Sequence, residues 1–423
     1  MQPQLKTIKP IIAELPQAQK LDNGVELNIV PLDDTEMLTL NIVFKGGQWV
    51  QDKNLQSDFT LSQLRSGTQH YSSEYIEEKL DFYGASLFTS TNLSFGLVRL
   101  TALRRTLADV LPILTDMLVC PVYEQEKLNI AVEEGVFAYT VSQQKVAEVC
   151  KRMFYKKVLG EENPAAKFPV ESDYRSICRE DLLRYHRNYL RMDNAVVYAT
   201  GKIDDEIVKL LNCSIGSIEC GVHSLIDYQS APMLTEARGW HEDELQVPSV
   251  QSALRMGKVL PDTTHPDFPA LLLTGTILGG YFGSRLMSNI RERLGFTYGI
   301  GSTFYHIPGV NIFITATETP QQNVKRCVEE IGKEIADLQS KPVTEDEMAF
   351  AKNYMLGQFC RKTEVSFALP AVLMSKRVHG LTLEDYLHEQ ERIQAQTAED
   401  VMMVAQKYFE DGSLLVSAVH GKG

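Results

Sequence analysis

The chain repeats itself once at a long period, and this restricts it to folds built from two similar halves. Leu38–Phe44 alternates apolar and polar residues as a half-buried strand does, and Val250–Met256 does the same less cleanly. A helical stretch ending in a glycine turn follows each. A strand pair comes next, Ala85–Thr91 with Gly96–Leu100 in the first half and Tyr298–Phe304 with Asn311–Ala316 in the second. The second part of the repeat is plainer. Leu107, Val110, Leu111, Leu114 and Leu118 fall at helical spacing, as do Val324, Val328, Ile331, Ile335 and Leu338. A proline, Pro121 or Pro342, then interrupts the chain before a new helix from Glu124 or Thr344. Arg179–Tyr189 corresponds to Ala398–Tyr408, and each leads into a strand, Asn194–Thr200 or Ser413–Val419.

Strands followed by runs of helices, twice over, predict an α+β protein of two similar domains related by internal duplication. Each should be a mainly antiparallel sheet with helices packed on one face. The expected boundaries are 1–220 for the first domain, 221–243 for a linker of mixed polarity, and 244–423 for the second domain. A chain of 423 residues is also longer than one core usually serves.

Composition narrows the functions open to it. Hydrophobic residues at 44% and charged residues at 23% are ordinary for a globular protein. A formal net charge of −13 argues against nucleic acid or an anionic membrane as partner, since both call for a basic patch. Cysteines at 120, 150, 178, 213, 220, 327 and 360 are odd in number and none are in C-x-x-C spacing, so free thiols in a reducing compartment are expected. The first residues lack a basic segment followed by an apolar one, so no signal peptide is read and the cytoplasm is the expected location. The apolar run Ala270–Phe282 is too short and too rich in glycine to span a membrane.

The most specific segment is Leu278–Tyr298, with a Leu-Gly-Gly start, Ser284-Arg285-Leu286, then Arg291-Glu292, Gly295 and Tyr298. Its glycines permit a sharp turn before a helix that Ser284 would start and Gly295 would end, with Tyr298 opening the next strand. This segment resembles the second-domain signature of the pitrilysin/insulinase-like peptidases, including the mitochondrial-processing-peptidase type. The resemblance implies that Arg291 and Tyr298 reach the zinc site of another domain or subunit. There they would hold the substrate carbonyl oxygen and stabilise the oxyanion of peptide hydrolysis. A permanently charged guanidinium and a phenol hydroxyl suit that task. Without the surrounding match, Arg291 beside Glu292 or Glu330 and a sheet tyrosine would need no such role.

The family's first domain carries His-x-x-Glu-His on a helix, two zinc ligands and a base, closely followed by a Gly-Thr turn. Here the turn is Gly67-Thr68, which places Asp58 and Ser62 where the histidines belong and Leu61 where the base belongs. No two histidines of the chain lie within five residues of each other. The resemblance also implies a glutamate ligand on a later helix with an acid seven residues before it. Glu133 and Glu126 match that spacing, as relic acids or as a solvated helix face. His70 and Glu74, four apart, are the nearest thing to a ligand pair and read as surface residues. No metal is therefore expected in this chain. By resemblance, zinc belongs to a homologous partner subunit in a heterodimer that encloses an extended, unfolded peptide. A non-catalytic peptide-binding or scaffold subunit, and a homodimeric peptidase with an atypical metal site, remain as alternatives.

Overall fold

The computed structural model describes residues 16–32, 35–221, 226, 228, 237–364, 369–378 and 380–422. Residues 1–15, which bear on the signal-peptide reading, and most of 222–236 within the stretch read as linker lie outside the described residues.

The chain is an α+β protein of two mostly antiparallel sheets. The first half contributes β1 (Gln17–Lys20), β2 (Glu26–Pro31), β3 (Met37–Lys45), β4 (Ser86–Thr91), β5 (Phe95–Leu103) and β6 (Ala195–Gly201), in the order β1-β2-β6-β3-β5-β4. The second half contributes β7 (Gly239–Pro248), β8 (Ser252–Leu260), β9 (Ile300–Ile307), β10 (Val310–Thr319) and β11 (Leu415–Lys422), in the order β7-β11-β8-β10-β9. The repeat survives in three dimensions. β3 pairs with β5 and β6 as β8 pairs with β10 and β11, all antiparallel. Each sheet also has one parallel pair, β2 with β6 and β7 with β11. Strand β7 is exposed along most of its length, so it lacks the alternation that betrays a half-buried strand, and it begins inside the stretch read as linker.

The helices Leu107–Val119 and Val324–Ser340 form where the apolar spacing places them, and Gln125–Ser142, Arg179–Tyr189, Glu345–Glu364 and Ala398–Tyr408 form where the prolines and the repeat place them. In the first half, Leu38, Leu40, Ile42 and Phe44 of β3 join Val98, Leu100 and Val197 in a core covered by that half's own helices. The opposite face of each sheet is covered too, and by the other half. Val30, Val43, Leu97, Val196 and Tyr198 pack against Leu356, Phe359, Leu373 and Tyr386 of the second half's helices. Reciprocally, the first-half helix Val146–Leu159 lays Phe154, Tyr155, Val158 and Leu159 on Ile312, Ile314 and Leu415 of the second sheet. The ion pair Arg377–Glu26 (Nη1 to Oε1, 2.6 Å) and the edge-on contact of Tyr155 with Tyr305 tie the exchange from both sides. Among the described residues, no helix is long and apolar enough to cross a membrane.

One buried acid sets the short helix Gln56–Ser62 against the helix Arg179–Tyr189. Asp181 accepts from Lys53 Nζ at 2.8 Å, from Arg184 Nη2 at 2.8 Å and from the Cys178 backbone N–H at 3.1 Å, while Gln56 Nε2 donates to its carbonyl at 2.8 Å. Burial pushes the carboxyl up, but Lys53, Cys178 and Arg184 outweigh it and hold the group down at about 2. The folded value lies below the unfolded one of about 3.9. The stability it confers is therefore present above about pH 4 and lost as the pH falls through about 2. Asp181→Asn is expected to lower the urea midpoint at neutral pH, with the gap to wild type narrowing between about pH 4 and pH 2. A gap that stays constant over that window would show that the charge contributes nothing.

Candidate functional site

The helix Gln56–Ser62 carries the three positions at which the family resemblance expects a metal motif. Asp58 is largely buried and accepts from Gln48 Nε2 at 3.1 Å. Its burial pushes the carboxyl above the ordinary range, against the opposing hydrogen bond from Gln48. Leu61 is 1% exposed and packs so closely on Gly96 that a Cβ there would stand 2.6 Å from its Cδ1. Ser62 is exposed and returns its hydroxyl to the Phe59 carbonyl at 3.3 Å, an ordinary helix back-bond.

The groove between this helix and Gln125–Ser142 is occupied by protein. The short helix Glu171–Ser176 packs there, with Asn54 Nδ2 donating to Asp173 at 3.0 Å. The ring of Tyr174 meets Phe59 edge-on and leaves no room for a side chain at Gly135. Glu133 points to solvent and pairs with Arg175 Nη1 at 3.2 Å, and Glu126 is exposed at the start of its helix. One buried carboxylate, a core leucine and a surface serine are not a zinc donor set, and the acid of the later helix is engaged elsewhere. The residues present do not fit the metal that the resemblance would place here, so no step of a reaction can be derived through it.

The segment Leu278–Tyr298 folds differently in detail from its sequence reading. Gly279 and Gly280 do not form a turn. They close a helix that runs from Phe268 to Gly275 and continues as a π-helical stretch, Thr276–Gly280. Gly279 is required by contact, since a Cβ there would lie 2.6 Å from the backbone nitrogen of Ser302 on β9. The turn itself falls at 281–284. A second π-helical stretch, Met287–Arg293, follows it. Ser284 stands at the start of that helix, but its buried hydroxyl caps nothing. Gly295, at φ +64, ends the helix as expected. Tyr298 lies in the bend before β9 rather than in the strand.

This bend brings Arg291 and Tyr298 together through the backbone. Arg291 Nε donates to the Tyr298 carbonyl at 3.0 Å. Its guanidinium lies over the ring of Phe282, 4.7 Å from the centroid, with Glu292 at 3.8 Å. Glu330 serves Arg293, Lys333 and Asn289 instead. The side chain of Tyr298 is 91% exposed. It borders a cleft of about 350 Å³ lined by Arg255, Thr297, Glu318 and, from the first half, Ala147. The guanidinium is thus oriented by an aromatic face and a carbonyl, with Nη1 in a long ion pair with Glu292. Phe282, the residue that orients it, was not singled out from the sequence. Only its place four residues past Leu278 could have drawn notice.

His70 and Glu74, read as surface residues, do not come together. Glu74 turns to Ser73 and Lys127, while His70 Nδ1 lies 2.7 Å from Asp116 Oδ1 and 3.8 Å from Cys120 Sγ.

With this geometry in hand, residues 176–355 match the family model described as the peptidase M16 inactive domain. A Rickettsia felis protein described as an uncharacterized zinc protease is 23% identical over 416 residues, 95% of this chain and 96% of that one. The chain is similar to the peptidase M16 family over residues 176–355. The likeness in fold extends over most of its length. The Pseudomonas fluorescens structure titled peptidase M16 inactive domain superposes with a TM-score of 0.83 at 18% identity, covering 96% of this chain and 98% of that one. A chain of Complex III2 from Candida albicans superposes at 0.75 and 14% identity, covering 96% and 95%. At such identities the likeness is one of fold. The family match falls on the segment that carries Arg291 and Tyr298.

Proposed function

We propose that this chain is the subunit of a two-chain zinc peptidase that holds no catalytic zinc on the helix Gln56–Ser62, binding an unfolded peptide and presenting Arg291 and Tyr298 to a zinc site carried by a homologous partner. The single observation that carries the reading is the orientation of Arg291. A charged side chain held between a ring and a carbonyl, beside an almost fully exposed tyrosine, has little purpose within its own subunit. It suits an oxygen that gains negative charge as a peptide carbonyl becomes tetrahedral, because a donor set in place before reaction need not reorganise. Among the described residues β4 and β9 are edge strands, and their outer edges offer places where an extended peptide would add as a strand. The degenerate positions Asp58, Leu61 and Ser62 explain why zinc and base would have to come from elsewhere.

The test is reconstitution. The purified chain alone should leave an unfolded reporter peptide intact, and mixing it with a zinc-bearing M16 relative should produce cleavage that a chelator stops. Chelator-sensitive cleavage by the single chain would overturn the reading. Co-elution of the two chains without any gain in cleavage would instead favour a scaffold subunit.

A further inference from the structure

We propose that His70, Asp116 and Cys120 form a surface site for a borderline-soft divalent cation, zinc foremost, distinct from the degenerate positions on the helix Gln56–Ser62. The sequence assigned this chain no metal, and the cluster is assembled only by folding, since its members lie 46 and 50 residues apart. Asp116 and Cys120 are one turn apart at the end of the helix Leu107–Val119, so their side chains share a face. The loop bearing His70 is pinned against that helix end by the backbone bonds Gln69 N to Cys120 O (3.1 Å) and Val122 N to Gly67 O (3.0 Å), and by a bridge between Thr68 and Pro121. The Thr68 hydroxyl accepts from the backbone N–H groups of His70 and Tyr71, which fixes the loop's bend.

The donor atoms lie within 4.8 Å of one another. Nδ1 to Oδ1 is 2.7 Å, Nδ1 to Sγ 3.8 Å and Sγ to Oδ1 3.0 Å. Bonds of about 2.0 Å to nitrogen and oxygen and 2.3 Å to sulfur in a tetrahedron place such atoms roughly 3.3–3.6 Å apart. The carboxylate must therefore retreat by about half an ångström, and the mostly exposed His70 ring is free to follow. Asp116 Oδ2 is buried without a hydrogen-bond partner among the described residues, while Oδ1 faces His70 and Cys120, so the carboxylate presents its bonded oxygen to the cluster.

Nitrogen, oxygen and sulfur in one set select zinc over magnesium or calcium, which take oxygen alone. In the metal-free state the thiol donates to Asp116, and burial with the neighbouring carboxylate pushes it up to about 11. Binding therefore forms a metal–sulfur bond and releases the thiol proton to solvent. Three protein donors leave a fourth position for water or a partner's side chain.

The test uses the full chain stripped of metal by a chelator and titrated with Co²⁺, then Zn²⁺. The expected result is one equivalent of Co²⁺ with a thiolate-to-cobalt charge-transfer band in the near ultraviolet, displaced by Zn²⁺. Cys120→Ser should lose the band and the equivalent of zinc while keeping the wild-type circular dichroism. His70→Ala should weaken binding, whereas Asp58→Asn should bind as wild type does. The absence of a cobalt band, or equal zinc binding by wild type and Cys120→Ser, overturns the site. Zinc retained by Cys120→Ser but lost by Asp58→Asn would overturn the site and the metal-free reading of the helix Gln56–Ser62 together.

Discussion

Arg291→Ala is expected to lower turnover by the reconstituted pair about 100- to 1,000-fold, or roughly 2.7–4 kcal/mol of transition-state stabilisation, with little change in KM. The split follows from when the charge appears. A ground-state carbonyl oxygen is only weakly negative, so the guanidinium contributes little to binding and most to the tetrahedral intermediate. Lysine at 291 would keep the charge but not the planar fork or the stacking on Phe282, so Arg291→Lys should recover only part of the loss. Phe282→Ala should cost less than Arg291→Ala, about 0.5–2 kcal/mol, because it removes the clamp and leaves the donor. Steady-state kinetics on pairs shown to co-elute would measure these effects. Unchanged turnover in Arg291→Ala would mean that the residue serves its own subunit only.

Phe154→Ala is expected to destabilise the chain by about 3–5 kcal/mol, the usual cost of emptying a fully buried aromatic site. The informative part is where the loss appears. Phe154 belongs to the first half by sequence, yet its ring fills the far face of the second sheet beside Ile312, Ile314 and Leu415. Hydrogen exchange should therefore quicken in β8, β10 and β11, strands that follow Phe154 by about a hundred residues or more. A shift in the denaturant midpoint worth less than about 1 kcal/mol, or faster exchange confined to the first sheet, would contradict the exchange of helices between halves.

Periodicity alone placed many of the elements. Leu107 to Leu118 and Val324 to Leu338 became the helices Leu107–Val119 and Val324–Ser340, because a helix buried along one stripe leaves a repeat that can be read locally, and Leu38–Phe44 became most of β3 although both of its faces are buried. Likewise, the identities at 58, 61 and 62 exclude a zinc-and-base motif there whatever the chain around them does. Three things were decided only by tertiary structure. The parallel partners β2 and β7 have no local signature, as pairing is a relation to a distant strand. The cross-covering helices answer to apolar residues on the second face of the other half's sheet, and which surface meets which is not encoded by any single period. The orientation of Arg291 by Phe282, and the meeting of His70 with Asp116 and Cys120, depend on ångström-scale distances across loops and helix ends. Local propensity sets the course of the backbone, but only packing brings such side chains within bonding reach.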